Sequence, residues 1–473
     1  MQTIPNQLNP GVQNLKLKYN NFKQIGSASF QFHPDLVSVD LSHNNLNYIQ
    51  EKTFEAQKIL IDLNLSNNQL TKISDLTFYG LETLEFLDLS QNQISELGNF
   101  SFEHLHKLKE LNLNFNKITS ITVNAFSGLN HLSNLNLGHN NLYNVPSEPL
   151  SLIPSLIKLD ISFNMITVLG DGSFSFLTQL RNLDLSDNPL QEDGYSGNSF
   201  MGLNHLSSLD LSGINASTLS EDIFKELSSL SELFLDRNNI EYVSQQIFAH
   251  QRQLQVLSLS TNSRLTKIHP LAFQQNLYLT KIDLSSNKAL STLSKQLLEN
   301  LPNLSQLNVS GNSLASITLP NVTKWTSLDL SNNPWTCDCD MVSVYLARVD
   351  VVCHQPRGVM LSQANMSTCI NGHVSPHVSN VDTDTSVTIL VIVTVSVVMV
   401  LTLVGVVGCR YQDQILSMVT TLVGSKCGSG HQEDGGGQWN LDTEQFIHIS
   451  ASQYAQYQQQ TQHPTRPIPV TEL

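Results

Sequence analysis

From Leu15 to Asn333 the apolar residues recur in one repeated phrase, L-x-L-x-x-N-x-[LI]. Its asparagine stands at Asn20, Asn44, Asn68, Asn92, Asn116, Asn140, Asn164 and Asn188, each step being 24 residues. A step of 26 residues then leads to Ile214, which replaces the asparagine, and the phrase continues at Asn238, Asn262, Asn287, Asn312 and Asn333. That makes fourteen units with steps of 21 to 26 residues. A fixed period over such a length marks stacked coils, not a series of globules.

The residue types in one unit follow from how a coil must fold. L-x-L has period 2 and predicts a short strand with both apolar side chains on one side. Val39 and Leu41 are thus expected inside, with Ser38, Asp40 and Ser42 outside. The asparagine must turn the chain, and its amide is placed to bond backbone groups of adjoining coils that would otherwise be buried without partners. Further on comes a phenylalanine: Phe30, Phe54, Phe78, Phe102, Phe126, Phe174, Phe200, Phe224, Phe248 and Phe273, with Leu150 and Leu298 in its place in two units. Stacked one per turn, these rings fill the outer side of the core. No unit buries its apolar face alone, so stability comes from stacking. Narrow strands on one side and wider loops on the other force curvature. The predicted fold is an α/β solenoid, a curved horseshoe whose parallel β-sheet is concave and, at about 4.8 Å per strand, about 60 Å or more along its arc. Such a surface suits a macromolecule and offers no deep substrate pocket.

Charge narrows the partner class. The chain of 473 residues has 25 Lys and Arg against 40 Asp and Glu, a net charge of −15, with no long basic run. Phosphate binding needs clustered cations, so nucleic acid is not expected as a partner. Four of the six cysteines, Cys337, Cys339, Cys353 and Cys369, crowd into 33 residues. An even cluster of this kind reads as disulfides made in an oxidising compartment, although four cysteines allow three connectivities. Zinc is the competing reading, but His354 has no partner at a recognised ligand spacing. Sequons begin at Asn64, Asn99, Asn215, Asn303, Asn308, Asn321 and Asn365, all before the apolar segment described below. Asn99, Asn215, Asn303, Asn321 and Asn365 are the expected glycosylation sites; Asn64 and Asn308 fall on strands, where a glycan would crowd the inner surface.

Read as L-x-x-L-x-x-L-x-L-x-x-N-x-L-x-x-[LIV]-x-x-x-x-F, the units resemble the 24-residue extracellular class of leucine-rich repeats, as carried by Toll-like receptor ectodomains and neuronal adhesion proteins, over about residues 4 to 370. Asn333-Pro334-Trp335-Thr336-Cys337-Asp338-Cys339, with Cys353 and Cys369, resembles that family's cysteine-rich C-terminal cap. The resemblance implies pairs Cys337–Cys353 and Cys339–Cys369, and a cap that covers the last open turn. It divides the chain into a solenoid at 1–335 and a cap at 336–370. At the other end, Met1-Gln-Thr-Ile-Pro5 resembles the tail of the family's N-terminal cap without its cysteines or a signal peptide, so an incomplete N-terminus is expected.

After a stalk at 371–385, residues 386–408 carry no charge and are rich in Val, Ile and Leu. At about 1.5 Å per residue they span a hydrocarbon core as one transmembrane helix. Sequons and cysteines on the N-terminal side put that side outside the cell, giving a single-pass plasma-membrane protein. The tail at 409–473, rich in Gln, Ser and Gly, has the composition of a disordered segment and is too short for the signalling domain of Toll-like receptors. Its end, Thr471-Glu472-Leu473, has the [ST]-x-Φ form of a PDZ-domain ligand, with Thr471 and Leu473 as the recognition residues.

On the sheet face the central outward residue is usually Asp or Asn. This column keeps the face solvated and, without His or Cys, points to neither catalysis nor metal. More telling are positions that break the polar pattern. Phe115, His139 and Phe163 recur at intervals of 24 residues and should stand side by side as interaction anchors. Phe86, Phe234, Lys158 and Arg237 are further ligand-binding candidates, and no cofactor is implied. The ninth unit departs from the pattern through a longer loop, Gln191 to Ser199, whose extra residues are either functional or a tolerated bulge. No phosphate loop or nucleophile–base set appears, so an enzyme is not expected. The resemblance implies a cell-surface receptor, of immune or developmental recognition, that takes a protein or glycan on its concave face. An adhesion or synapse-organising protein held by a PDZ scaffold is the other reading.

Overall fold

The computed structural model describes residues 11–320, 325–367 and 369–370. The chain divides into two units, Met1–Ser375 and Pro376–Leu473, and every described residue lies in the first. The expected span at 386–408 and the tail with Thr471 and Leu473 lie outside the described residues, as does Asn321. Among the described residues no helix is long and apolar enough to cross a membrane.

Fourteen three-residue strands, from Asn14–Lys16 to Ser327–Asp329, form one parallel sheet in strict chain order among the described residues. The register holds from coil to coil: Leu63 faces Leu87, Leu87 faces Leu111, and Leu111 faces Leu135. Every outward position therefore lines up in a column across the sheet. Inside, Val39 and Leu41 are fully buried. The ten phenylalanines of the repeat are buried with them, and neighbouring rings stack at 5.5 Å (Phe30–Phe54) to 6.4 Å (Phe102–Phe126). On the sheet side, stacked side chains of adjoining coils lie only 3.9 to 4.5 Å apart. Coils that are closer together at the sheet than at the phenylalanines are wedges, and wedges stack into an arc with the sheet inside.

The asparagine at the end of each strand joins its own coil to the preceding one. Asn140 Nδ2 donates to the carbonyls of Leu113 on the preceding coil and of Leu137 and Gly138 on its own, at 3.0, 3.0 and 3.2 Å. Its Oδ1 accepts from Ile118 N–H of the preceding coil at 3.0 Å. The same four bonds recur at Asn44, Asn68, Asn92, Asn116, Asn164 and Asn188, each of them buried. At Ile214 the ladder is interrupted, and Leu190 N–H bonds to the carbonyl of Asn188 instead, at 2.9 Å. At the C-terminal end the indole of Trp335 stands in for the next asparagine: its Nε1 donates to Leu330 O at 2.8 Å.

Two expectations are corrected. The α part of the α/β solenoid is small. The outer side is built of turns, with short helices at Ser147–Leu150 and Lys295–Glu299, the two units in which leucine replaces phenylalanine, and at Val342–Leu346 in the cap. A unit of 24 residues leaves too few on the return path for a longer helix. Ser42 is buried, not outward, because its N–H and hydroxyl both donate to Asp40 Oδ1, at 3.0 and 2.6 Å. The cap closes with disulfides Cys337–Cys353 and Cys339–Cys369. The loop from Gln191 to Ser199 is pinned to its neighbours, with Gln191 N–H on Thr167 O, Ser196 Oγ on Asp171, and Glu192 accepting from Ser217. This is the behaviour of a packed bulge.

Replacing Asn140 by alanine removes all four bonds; the carbonyls of Leu113, Leu137 and Gly138 keep one donor each, from Asn116, Asn164 and Phe115, and the buried N–H of Ile118 is left without a partner. A loss of about 3 kcal/mol or more is expected from such a group of buried bonds. Guanidinium denaturation, with amide exchange at Ile118 rising first, is the check; an unchanged midpoint would refute the ladder's role.

Candidate functional site: an aromatic ladder beside an acidic sheet face

The residue just before each ladder asparagine must reverse the chain, and it does so with positive φ: 52° at Phe115, 52° at His139 and 49° at Phe163. Non-glycine residues seldom adopt this conformation. Here the geometry is fixed by Phe115 N–H on Gly138 O, His139 N–H on Ser162 O and Phe163 N–H on Ser186 O, at 2.9 to 3.1 Å. The side chains leave the edge of the sheet in one direction and stack. Phe115 and His139 have ring centroids 3.9 Å apart and planes 11° apart; His139 and Phe163 are 4.2 Å and 10° apart. The stack is both of the things a sequence could suggest, a self-packed pile and an exposed one. Phe115 and Phe163 keep 48% and 44% of their surface in solvent, while His139 is half-buried between them.

Phe86 and Lys158 stand at the first positions of their strands, whereas the stacked residues lie beyond the strand ends. Both line an open hollow of about 400 Å³ on the sheet, with Asp62, Asp88, Glu110 and Asp160. Phe234 and Arg237 do not: they belong to the tenth coil, three coils past Phe163, or about 14 Å at the spacing of parallel strands. Arg237 is engaged elsewhere, its Nη2 lying 2.7 Å from Asp187 Oδ2 two coils back. It reaches across Gly213, where a Cβ would lie 2.5 Å from Asp187 Oδ1 and φ is +66°. Met165 and Tyr143, exposed at 44% and 57%, extend the apolar strip down the flank and were not anticipated. The available signal was Met165 itself, at a position that is Asn, Gln or Lys in the preceding units: Asn21, Asn45, Gln69, Gln93, Lys117 and Asn141.

The Asp and Asn column does more than keep the face wet. Each side chain accepts from the backbone N–H two residues on, as Asp88 from Ser90 at 2.9 Å and Asn136 from Gly138 at 2.9 Å, which ties off the strand end. At Asp283 the second carboxylate oxygen is used as well, accepting from Asn308 Nδ2 at 3.1 Å. Where several acids follow each other the carboxyls resist ionisation. Burial raises the pKa of Asp184, with Asp160 and Asp187 adding repulsion, and burial raises that of Asp210, with Asp184 and Asp236 adding. Among the described residues no three His, Cys, Asp or Glu side chains are placed to hold a metal ion. Of the expected glycosylation sites, Asn99, Asn215, Asn303 and Asn365 are exposed, whereas Asn64 and Asn308 are half-buried on their strands.

The leucine rich repeat family matches at residues 34–94, 87–142, 154–216, 205–263 and 252–314, more than half of the chain. The chain belongs to the leucine rich repeat family. Among solved structures, a leucine rich repeat relative is the crystal structure of a TLR13–ssRNA13 complex, with 29% sequence identity and a TM-score of 0.60. The likeness covers 69% of this chain and 51% of that one, so this leucine rich repeat chain spans about half the length of the structure it matches. Its repeats resemble the ectodomain of a Toll-like receptor. No curated protein matches the chain.

The raised carboxyls carry a pH dependence. A folded state that binds a proton more tightly than the unfolded chain is most stable below the unfolded pKa and loses stability as pH rises through the raised folded value. Asp184→Asn keeps an Oδ1 acceptor for Ser186 and removes that loss. At about pH 7 it is expected to exceed the parent in stability by up to about 1 kcal/mol, after allowance for solvent screening, and to match it at about pH 3. Urea denaturation at both pH values reads the difference; a variant less stable than the parent at neutral pH would contradict the assignment.

Proposed function

We propose that this chain is a ligand-binding receptor at the cell surface, which captures a macromolecule on the inner sheet of its repeats. The observation that carries the reading is the exposed stack Phe115–His139–Phe163, on the same sheet as the hollow that Phe86 and Lys158 line. A soluble surface has no structural need for three stacked rings in water, and exposed aromatics within a polar rim are the usual anchors of macromolecular interfaces. The likeness to a receptor ectodomain solved with a bound ligand supports the same reading. The ligand is a protein or glycan. That neighbour's RNA is a poor guide here, because the hollow sets four carboxylates against one ammonium.

The rest of the reading is proposed on the sequence. Residues 386–408 anchor the chain as one transmembrane helix, the repeats lie outside the cell, Asn99, Asn215, Asn303, Asn321 and Asn365 carry glycans, and the protein is not an enzyme. Immune or developmental recognition is the setting such a receptor suits. The tail passes the signal on through recruited partners, among them a PDZ scaffold at Thr471 and Leu473.

The full-length chain displayed on cells, probed with a library of extracellular proteins and glycans, tests the reading. Phe115→Ala with Phe163→Ala is expected to weaken binding of the captured ligand about ten-fold or more, the range of interface anchors, at unchanged surface expression. Binding that survives the double substitution intact would remove this strip as the receptor site.

A further inference from the structure

The charge around the aromatic strip is uncompensated. Asp62, Asp88, Glu110 and Asp160 line the hollow beside Phe86, and among the described residues none of the four is in an ion pair. They hold polar partners only. Ser38 donates to Asp62 at 2.9 Å, Asn134 to Glu110 at 3.0 Å, and Ser90 and Ser162 to Asp88 and Asp160. Lys158 is the one cation in the lining. Elsewhere on the surface, acids do find cations: Lys58 holds Glu82, Lys109 holds Glu85, and Arg237 holds Asp187. Most other acids among the described residues are likewise outside ion pairs, so what distinguishes the hollow is that four carboxylates gather there around one ammonium.

The aromatic stack restricts the ligand further. With faces 3.9 and 4.2 Å apart, the three rings have no gap for a fourth plane, so a base or planar ring cannot enter between them. What they offer is a ridge of ring edges for aliphatic and aromatic side chains to lie along. On the same sheet the carboxylates stand in two columns, Asp62 and Glu110 at the first strand position and Asp88 and Asp160 at the third, spaced along each column by a small multiple of about 4.8 Å.

We infer that the strip docks a basic polypeptide segment, with lysine or arginine side chains meeting Asp62, Asp88, Glu110 and Asp160 while intervening apolar side chains lie on Phe86 and the Phe115–His139–Phe163 ridge. The inference rests on the receptor reading above and supplies its partner class. Nucleic acid is excluded on the same ground, since its phosphates would meet four carboxylates and release no counterions. An acidic or neutral partner would leave those carboxylates desolvated without compensation.

The test uses the purified full-length chain in nonionic detergent and three labelled probes: a short peptide of alternating lysine and tyrosine, its glutamate–tyrosine counterpart, and a short single-stranded RNA. Fluorescence anisotropy should show the lysine–tyrosine peptide bound, more weakly as salt rises, and the other two not bound. Asp88→Asn, Glu110→Gln and Asp160→Asn together remove charge without removing acceptors; asparagine already stands at the register of Asp88 and Asp160 in Asn64, Asn112 and Asn136, and at that of Glu110 in Asn134. This triple variant is expected to weaken the peptide about ten-fold or more, the scale of several lost charge pairs, with an unchanged melting transition. RNA bound as tightly as the peptide, or a triple variant binding as the parent does, would overturn the inference. The ligand found on cells separates the two claims. If Phe115→Ala with Phe163→Ala abolishes its capture and the triple variant does not, the receptor reading stands and the basic partner falls. If the ring substitutions change nothing, the receptor site itself falls.

Discussion

A buried peptide group must be hydrogen-bonded, and in a stack of coils most of its partners lie on the next coil. The ladder asparagine meets that constraint. A primary amide can donate twice and accept twice, and here it spans a carbonyl of the preceding coil, two of its own, and an N–H of the preceding coil. No other small side chain supplies both roles at that reach. Once the amide is in place, the residue before it is driven to positive φ and every coil repeats its neighbour's geometry. The outward columns follow as a consequence, and so does the site. Phe115, His139 and Phe163 stack because the ladder forces three identical turns at one coil spacing.

The ends and the interruptions show how strict the constraint is. At Ile214 the ladder loses one amide, and a local carbonyl takes over the exposed N–H. At the last coil no further asparagine follows, and Trp335 donates to the carbonyl that the next amide would have held. The same indole is almost wholly buried, so one residue both ends the ladder and covers the core. The two disulfides then hold the covering segment in place.

Most of the coil was legible because its determinants are local and repeated. The strand register, the buried rings and the bonding role of the asparagine all follow from periodicity and from the chemistry of an amide. The cysteine pairs came by likeness to a family, since four cysteines are compatible with three pairings. What the pattern hid was the behaviour of side chains that look outward in a strand but are recruited by a neighbour. Ser42 alternates with Asp40 as an exposed residue would, yet it turns in to bond it. Arg237 has the position of a ligand contact, yet Gly213 lets it fold back onto Asp187. That Phe115, His139 and Phe163 stand side by side was legible from their spacing; that they pack face to face and yet stay exposed depends on a turn conformation that spacing alone does not encode. The α/β class overstated the outer side, which the shortness of the unit makes mostly turns.

The most direct measurement is hydrogen exchange on the full-length chain, resolved to single amides. Ile94, Ile118, Leu142 and Ile166 each donate to a ladder asparagine, and Phe115, His139 and Phe163 each donate to the following coil. The account predicts that these seven amides exchange together, at one slow rate set by opening of the stack. Exchange of the ladder amides at unfolded-chain rates, or protection that breaks into separate blocks within residues 94–166, would contradict it.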